Sequence, residues 1–217
     1  SFTAAQIGTI THKVLEKLDF CAAQRATAFP DADGSNAARG MEAALSQAAL
    51  VPGAETQNAA AQGTCNQGAG EPQGTAYVRN LLTRMVTEEF LTAEEAAVVD
   101  AEKIAAFANS PLGRRIAASP QLRREQPFNI LLEVNGSMAA VQGIIDCCFE
   151  EDGAWVLLDY KTTRVESAAE LARRAPQLRK TYAAQMVIYR RALEAATGMP
   201  VRETYLYLTN LGETIRM

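Results

Sequence analysis

With 217 residues, 48% of them hydrophobic, the chain can bury one good core with room for an appended helical piece, and it has no apolar run near the 18 residues of a membrane span. Its net charge of −4 argues against a general nucleic-acid binder. The charge is uneven, however: residues 161–217 hold ten Lys or Arg against five Asp or Glu, and residues 1–160 hold eleven against twenty, so any polyanion is expected to be delivered by something else.

The chain opens Ser-Phe-Thr, with neither an initiator Met nor a basic-then-apolar leader, which suggests a fragment of a longer protein. Thr3 with Gln6 forms a capping box, and Ile7, Ile10, Val14 and Leu18 recur at helical spacing, predicting a helix over 4–19. Residues 21–75 are rich in Ala, Gln, Asn and Gly; Ala38 to Leu50 has helical character, and 51–74 reads as a flexible loop or insertion. Helices are expected over 75–90 and over 93–108 behind the Thr92 cap, with a further turn from Ser110-Pro111. Phe128–Val134, Ala139–Phe149, Trp155–Lys161, Thr204–Thr209 and Thr214–Met217 read as strands. A long helix over Ser167–Ala196, interrupted near Pro176, separates the third strand from the fourth. The order predicts one α/β domain with a mixed sheet, covered by the first helix and the long one.

The most informative stretch is residues 143–163. Asp152-Gly153 between two β-rich runs signals a two-residue type I′ turn, so facing residues have numbers that sum to 305. Asp146 would then face Asp159 with Cβ atoms about 5 Å apart, and like charges there are destabilising. Lys161, two residues beyond Asp159, projects from the same face. The bland alternative is a solvated surface hairpin. The apolar neighbours Val141, Ile144, Ile145, Val156, Leu157 and Leu158 argue for burial instead, where unpaired carboxylates are costly. Two carboxylates holding a divalent cation beside an ammonium suit phosphodiester hydrolysis.

His12, the sole histidine, lies off the main apolar stripe of the first helix, one turn after Gly8. A lone helical histidine is more often structural than a ligand, but a glycine inside a helix usually marks a close approach. Tyr182, Gln185 and Tyr189 form one stripe of the long helix, flanked by Arg179, Lys180, Arg190 and Arg191. By itself that pattern fits a half-buried amphipathic helix. Glu125 could touch the metal site or pair with Arg123 or Arg124, the salt-bridged surface carboxylate being the default, and Glu94, Glu95, Asp100 and Glu102 read as a solvated helix face. Cys21, Cys65, Cys147 and Cys148 show no C-x-x-C spacing, which points to free thiols in a reducing cytoplasm rather than a zinc or redox site.

Five segments in order, Gly8-Thr9-Ile10-Thr11-His12, Arg124-Glu125-Gln126-Pro127-Phe128, Gly143-Ile144-Ile145-Asp146, Asp159-Tyr160-Lys161-Thr162 and Gln185-Met186-Val187-Ile188-Tyr189, resemble the motifs of the RecB-like nucleases of the PD-(D/E)xK superfamily. Val99–Ile104, Ser110–Gly113 and Tyr205–Leu208 are similar to connecting segments of AddA-type nuclease domains. Any one motif is weak, and the likeness covers nearly all of the chain except about 21–75. The resemblance implies a restriction-endonuclease-like core with a mixed central sheet flanked by helices. It also implies a magnesium- or manganese-dependent DNA exonuclease of a bacterial helicase–nuclease that processes double-strand ends for recombinational repair.

On the same resemblance, His12, Asp146 and Asp159 with the Tyr160 carbonyl would ligate the metal. Lys161 would position the attacking water and stabilise the pentavalent phosphorane, while Gln185 and Tyr189 would hold the substrate strand, with Glu125 supporting. The implied partners are single-stranded DNA delivered by an attached helicase and a second, AddB-type subunit. The family's iron–sulfur members need three cysteines near the C-terminus, which this sequence lacks, so no cluster is expected. Two other readings stay open: a degenerate nuclease fold that only binds DNA or a partner, and a stand-alone phage-type or CRISPR-associated exonuclease.

Overall fold

The computed structural model describes residues 2–25, 74–134 and 136–217, so the helix expected within Ala38–Leu50 and all but the last residue of the 51–74 segment lie outside the described residues. Helices come first: α1 (Ala4–Lys17), α2 (Phe20–Arg25), α3 (Thr75–Thr87), α4 (Ala93–Ala97), α5 (Ala101–Ala108) and α6 (Pro111–Ala118). Then follow β1 (Leu122–Val134), β2 (Ser137–Glu151), β3 (Ala154–Lys161), α7 (Ala168–Thr197), β4 (Val201–Leu208) and β5 (Glu213–Arg216). The capping box opens α1 as expected, with Gln6 N donating to Thr3 Oγ1 at 3.3 Å and Thr3 N to Gln6 Oε1 at 2.8 Å.

The strands lie in the order β1-β2-β3-β4-β5, antiparallel except for the parallel β3–β4 pair that α7 connects. A central strand is covered on both faces and therefore reads as a continuous apolar run. β3 is such a strand: Ala154 to Tyr160 are all buried, Asp159 among them. On one face Cys147, Phe149, Val156, Leu158, Tyr160 and Tyr207 pack with α1, α2, α3, α5 and α6. On the other, Ile145, Cys148, Trp155, Leu157, Leu206 and Leu208 pack against Leu178, Met186 and Leu193 of α7. The mixed α/β architecture with a helical N-terminal part is the one expected.

Three expectations need correction. The helix expected over 93–108 is two helices, because Asp100 is an N-cap whose Oδ1 accepts from Lys103 N at 3.0 Å and restarts the chain as α5. Pro176 does not interrupt α7. A proline removes one i→i−4 bond, and a thirty-residue helix anchored by Leu178, Met186 and Leu193 absorbs that loss. β1 begins at Leu122 rather than Phe128, since the charged run Arg123-Arg124-Glu125 pairs with β2, Arg124 opposite Cys147.

Candidate active site and metal centre

The turn forms as expected. Asp152 and Gly153 have φ of 50° and 72°, the positive pair that a type I′ turn requires. The pairs Glu151↔Ala154 to Cys147↔Leu158 all follow the expected register. The pairing stops there, however, so Asp146 and Asp159 are not a cross-strand pair. The cause is a reversal of facing in β1 and β2. Side chains two apart on a strand share a face, yet Ile145 packs with α7 and Cys147 with the helices on the other side. Leu122 and Phe128 are divided in the same way. Between them, opposite Asp146, stands Glu125 with φ 46°, a left-handed conformation that costs a non-glycine residue of order 1–3 kcal/mol. The two carboxylates therefore do not face each other directly: Asp146 Oδ2 accepts a 2.7 Å bond from Tyr160 N where the strands part.

This reversal assembles half of the site beside α1. His12 Nε2 lies 2.9 Å from Glu125 Oε1 and 3.8 Å from Asp146 Oδ1. Ligand atoms of these three residues all fall within 4.8 Å of one another. Gly8 lets α1 come this close: a Cβ there would stand 1.9 Å from Thr162 Cγ2. The Tyr160 ring is buried and meets the His12 ring edge-on, with centroids 5.2 Å apart. The default reading of Glu125 is therefore corrected, because among the described residues its ionic contact is with His12 rather than Arg123 or Arg124.

The other half faces α7. Lys161 Nζ is 2.6 Å from Asp159 Oδ2, so both project from one face as alternation predicts. Gln185 joins them: Lys161 Nζ donates to its Oε1 at 2.8 Å, and its Nε2 donates to Asp159 Oδ1 at 3.1 Å and to Tyr189 Oη at 2.7 Å. Tyr182 places its ring 4.5 Å from Lys161 Nζ.

The electrostatics are strained. Asp159 is 2% exposed. Burial first, then the Asp146 charge, push its carboxyl up to about 6, against the pull of Lys161. Burial also raises Asp146, although the Tyr160 N–H and His12 oppose it. Two of the atoms involved, His12 Nε2 and Glu125 Oε1, are buried and make no hydrogen bond among the described residues despite their short contact, whereas Asp159 Oδ2 is matched by the Lys161 ammonium. Buried lone pairs left in this state are costly. A cation shared by His12, Glu125 and Asp146 would relieve them; the carboxylate oxygens suit Mg²⁺ or Mn²⁺, and the imidazole nitrogen favours the softer of the two, Mn²⁺. Two ligands at about 2.1 Å and at right angles around such an ion stand about 3 Å apart, close to the 2.9 Å between His12 and Glu125. The residues present fit a divalent cation.

The structure places the expected site residues in two neighbouring groups, His12, Glu125 and Asp146 on one side and Asp159, Lys161, Gln185 and Tyr189 on the other, with Tyr160 between; among the described residues the three-ligand cluster contains Glu125 and not the expected Asp159. Residue-level reading understated Glu125. Its signal was position, since it falls opposite Asp146 once the β1–β2 register is known.

A family profile described as the PD-(D/E)XK nuclease superfamily matches residues 1–215. Curated relatives include the A-type subunits of bacterial ATP-dependent helicase/nucleases. That of Anoxybacillus flavithermus is 44% identical over 130 residues, 60% of this chain and 10% of the relative. That of Pelotomaculum thermopropionicum is 43% identical over 151 residues, 64% of this chain and 11% of the relative. The corresponding protein of Geobacillus kaustophilus is 38% identical over 148 residues, 63% of this chain and 12% of the relative. The aligned segment is thus about a tenth of each relative's length.

Proposed function

The chain belongs to the PD-(D/E)XK nuclease superfamily, and from that premise we propose that it is the metal-dependent DNA exonuclease domain of an AddAB-type helicase–nuclease that resects double-strand ends for recombinational repair. The observation that carries this reading is the cluster of His12, Glu125 and Asp146, whose ligand atoms all lie within 4.8 Å of one another, next to the buried Asp159–Lys161 pair. A degenerate fold kept for binding alone has no need of such costly groups.

In this reading His12, Asp146, Asp159 and the Tyr160 carbonyl hold Mg²⁺ or Mn²⁺, with Glu125 as a further oxygen donor. The cation supplies Lewis-acid polarisation of the phosphoryl oxygens and a lowered pKa for a bound water. Lys161, held on Asp159, aligns the attacking water and offsets the negative charge that develops on the phosphorane oxygens. Gln185 acts as a positioning residue: its acceptor holds the Lys161 ammonium and its donor the Asp159 carboxylate, while Tyr189 fixes the amide. Their place on α7 also lets them meet the substrate strand. The helicase/nuclease name of the relatives supports two partners, a motor that feeds single-stranded DNA and a second, AddB-type subunit.

The test is cleavage of single-stranded DNA by the intact protein with Mg²⁺. Lys161→Ala should slow cutting by about 10² or more when assayed at a temperature where the variant is still folded, since losing the 2.6 Å contact also leaves buried Asp159 unpaired. Full cleavage by that variant would remove Lys161 from the mechanism.

A further inference from the structure

Beside the metal-ligand set lies a cavity of about 380 Å³, within the roughly 300–1,000 Å³ typical of small-molecule sites. It opens at the carboxyl ends of the parallel strands β3 and β4, where Thr162 and Thr209 leave the sheet. α/β sheets commonly bind ligands in that position. Gly8 and Thr11 of α1 form one wall, so the cavity begins within one helical turn of His12, about 6 Å along the axis from Gly8.

Its lining divides by chemistry. Ile7, Val98 and Ile104 give it apolar surface. Most of the polar atoms among them are acceptors, the Asp100 carboxylate included, beside the Thr162 and Tyr207 hydroxyls. Asn210 Oδ1 is buried with no hydrogen bond among the described residues, its Nδ2 being used by Val165 O at 2.7 Å. Thr11 and Thr209 have already donated their hydroxyl protons, to Ile7 O and Lys161 O, and keep lone pairs to offer. Cations occur only among the exposed lining groups: Lys103, paired with Asp100 of the same lining at 3.3 Å, and Arg164, paired with Glu166 at 3.3 Å. A flat ligand with N–H donors on an apolar body, carrying a phosphate at its edge, fits this division. Inorganic phosphate alone does not, because acceptors would face its oxygens.

We propose that this cavity is a nucleotide subsite, which seats the base of the substrate nucleotide neighbouring the one whose phosphate meets His12, Asp146 and Asp159. The proposal rests on the nuclease reading and adds to it a place where the strand is gripped by a base. Lys103 and Arg164, exchanging their exposed partners Asp100 and Glu166, neutralise the flanking phosphate, and Asn210 accepts from the base edge. Recognition of this kind tolerates any sequence, since every base presents a face and at least one N–H donor.

The experiment is a titration of the protein with the dinucleotide pdApdA in Ca²⁺, followed by backbone amide resonances. Saturable shifts are expected at Gly8, Thr162 and Asn210. Asn210→Ala and, separately, Lys103→Ala should each weaken binding about fivefold, the size of one net hydrogen bond. The same dinucleotide lacking its second base should bind weaker by a similar factor. Resonances of His12 and Asp146 should respond to Ca²⁺ alone and equally in both variants. If they do while the cavity amides stay still, or if the abasic compound binds as well as pdApdA, the subsite is overturned and the metal site stands. Silence of His12 and Asp146 towards Ca²⁺ would overturn the nuclease reading and the subsite with it.

Discussion

Asp159 is the residue on which the electrostatics turn. Its carboxyl is pushed up to about 6, chiefly by burial and then by Asp146, above the ordinary value near 3.9. A carboxyl raised on folding binds its proton more tightly in the native state. The stability it contributes is therefore complete below about pH 4 and lost as pH rises through 6. In chelator, wild-type protein should lose stability relative to Asp159→Asn between pH 4 and 7, by up to roughly 3 kcal/mol. Saturating Mg²⁺ should reverse that slope, because the charged form is the one a cation binds. Denaturant melts across this range decide it, and a flat difference between the two proteins would show that Asp159 is not strained. Nothing in the amino-acid string gives the size of this effect, although it does place Asp159 after Val156-Leu157-Leu158, and burial follows from that run.

Among the elements, α1 and the β1–β2–β3 sheet set the site. The Asp152-Gly153 turn made the β2–β3 register readable in advance, because two residues with positive φ allow one hairpin geometry. The reversal at Glu125 and Asp146 was not readable. It depends on a left-handed φ at a glutamate, and no turn residue marks it. The split at Asp100 and the early start of β1 were hidden for a different reason: charged residues there serve as a cap and as the edge of a strand, roles that polarity alone does not separate. Gly8 was legible as a close approach, and its partner is Thr162. Gly8→Ala should destabilise the protein by about 1–3 kcal/mol through overpacking and weaken metal binding by moving His12. Thr162→Gly in the same chain should restore much of both, since the colliding Cβ and Cγ2 are gone. A Gly8→Ala protein with wild-type stability and metal affinity would mean that α1 is not pinned there.

For the whole molecule, the net charge of −4 sits beside a candidate site proposed to act on a polyanion. Electrostatic binding to DNA needs many Lys or Arg contacts and fades steeply with salt. The chain should therefore bind single-stranded DNA only weakly, with Kd roughly at or above 10⁻⁵ M near physiological salt, and cut it poorly unless the strand is tethered to it. The motor proposed above would supply that tether as a high effective concentration. Anisotropy titration at about 150 mM salt checks this, and submicromolar binding would show that the domain captures DNA unaided. The central claim is that His12, Asp146 and Asp159 share a divalent cation, and thermal melting with and without Mn²⁺ tests it most directly. A ligand that binds only the folded state raises the melting temperature. The wild-type protein should show that rise, and Asp146→Ala and Asp159→Ala should each abolish it; an undiminished rise in both variants would contradict the site.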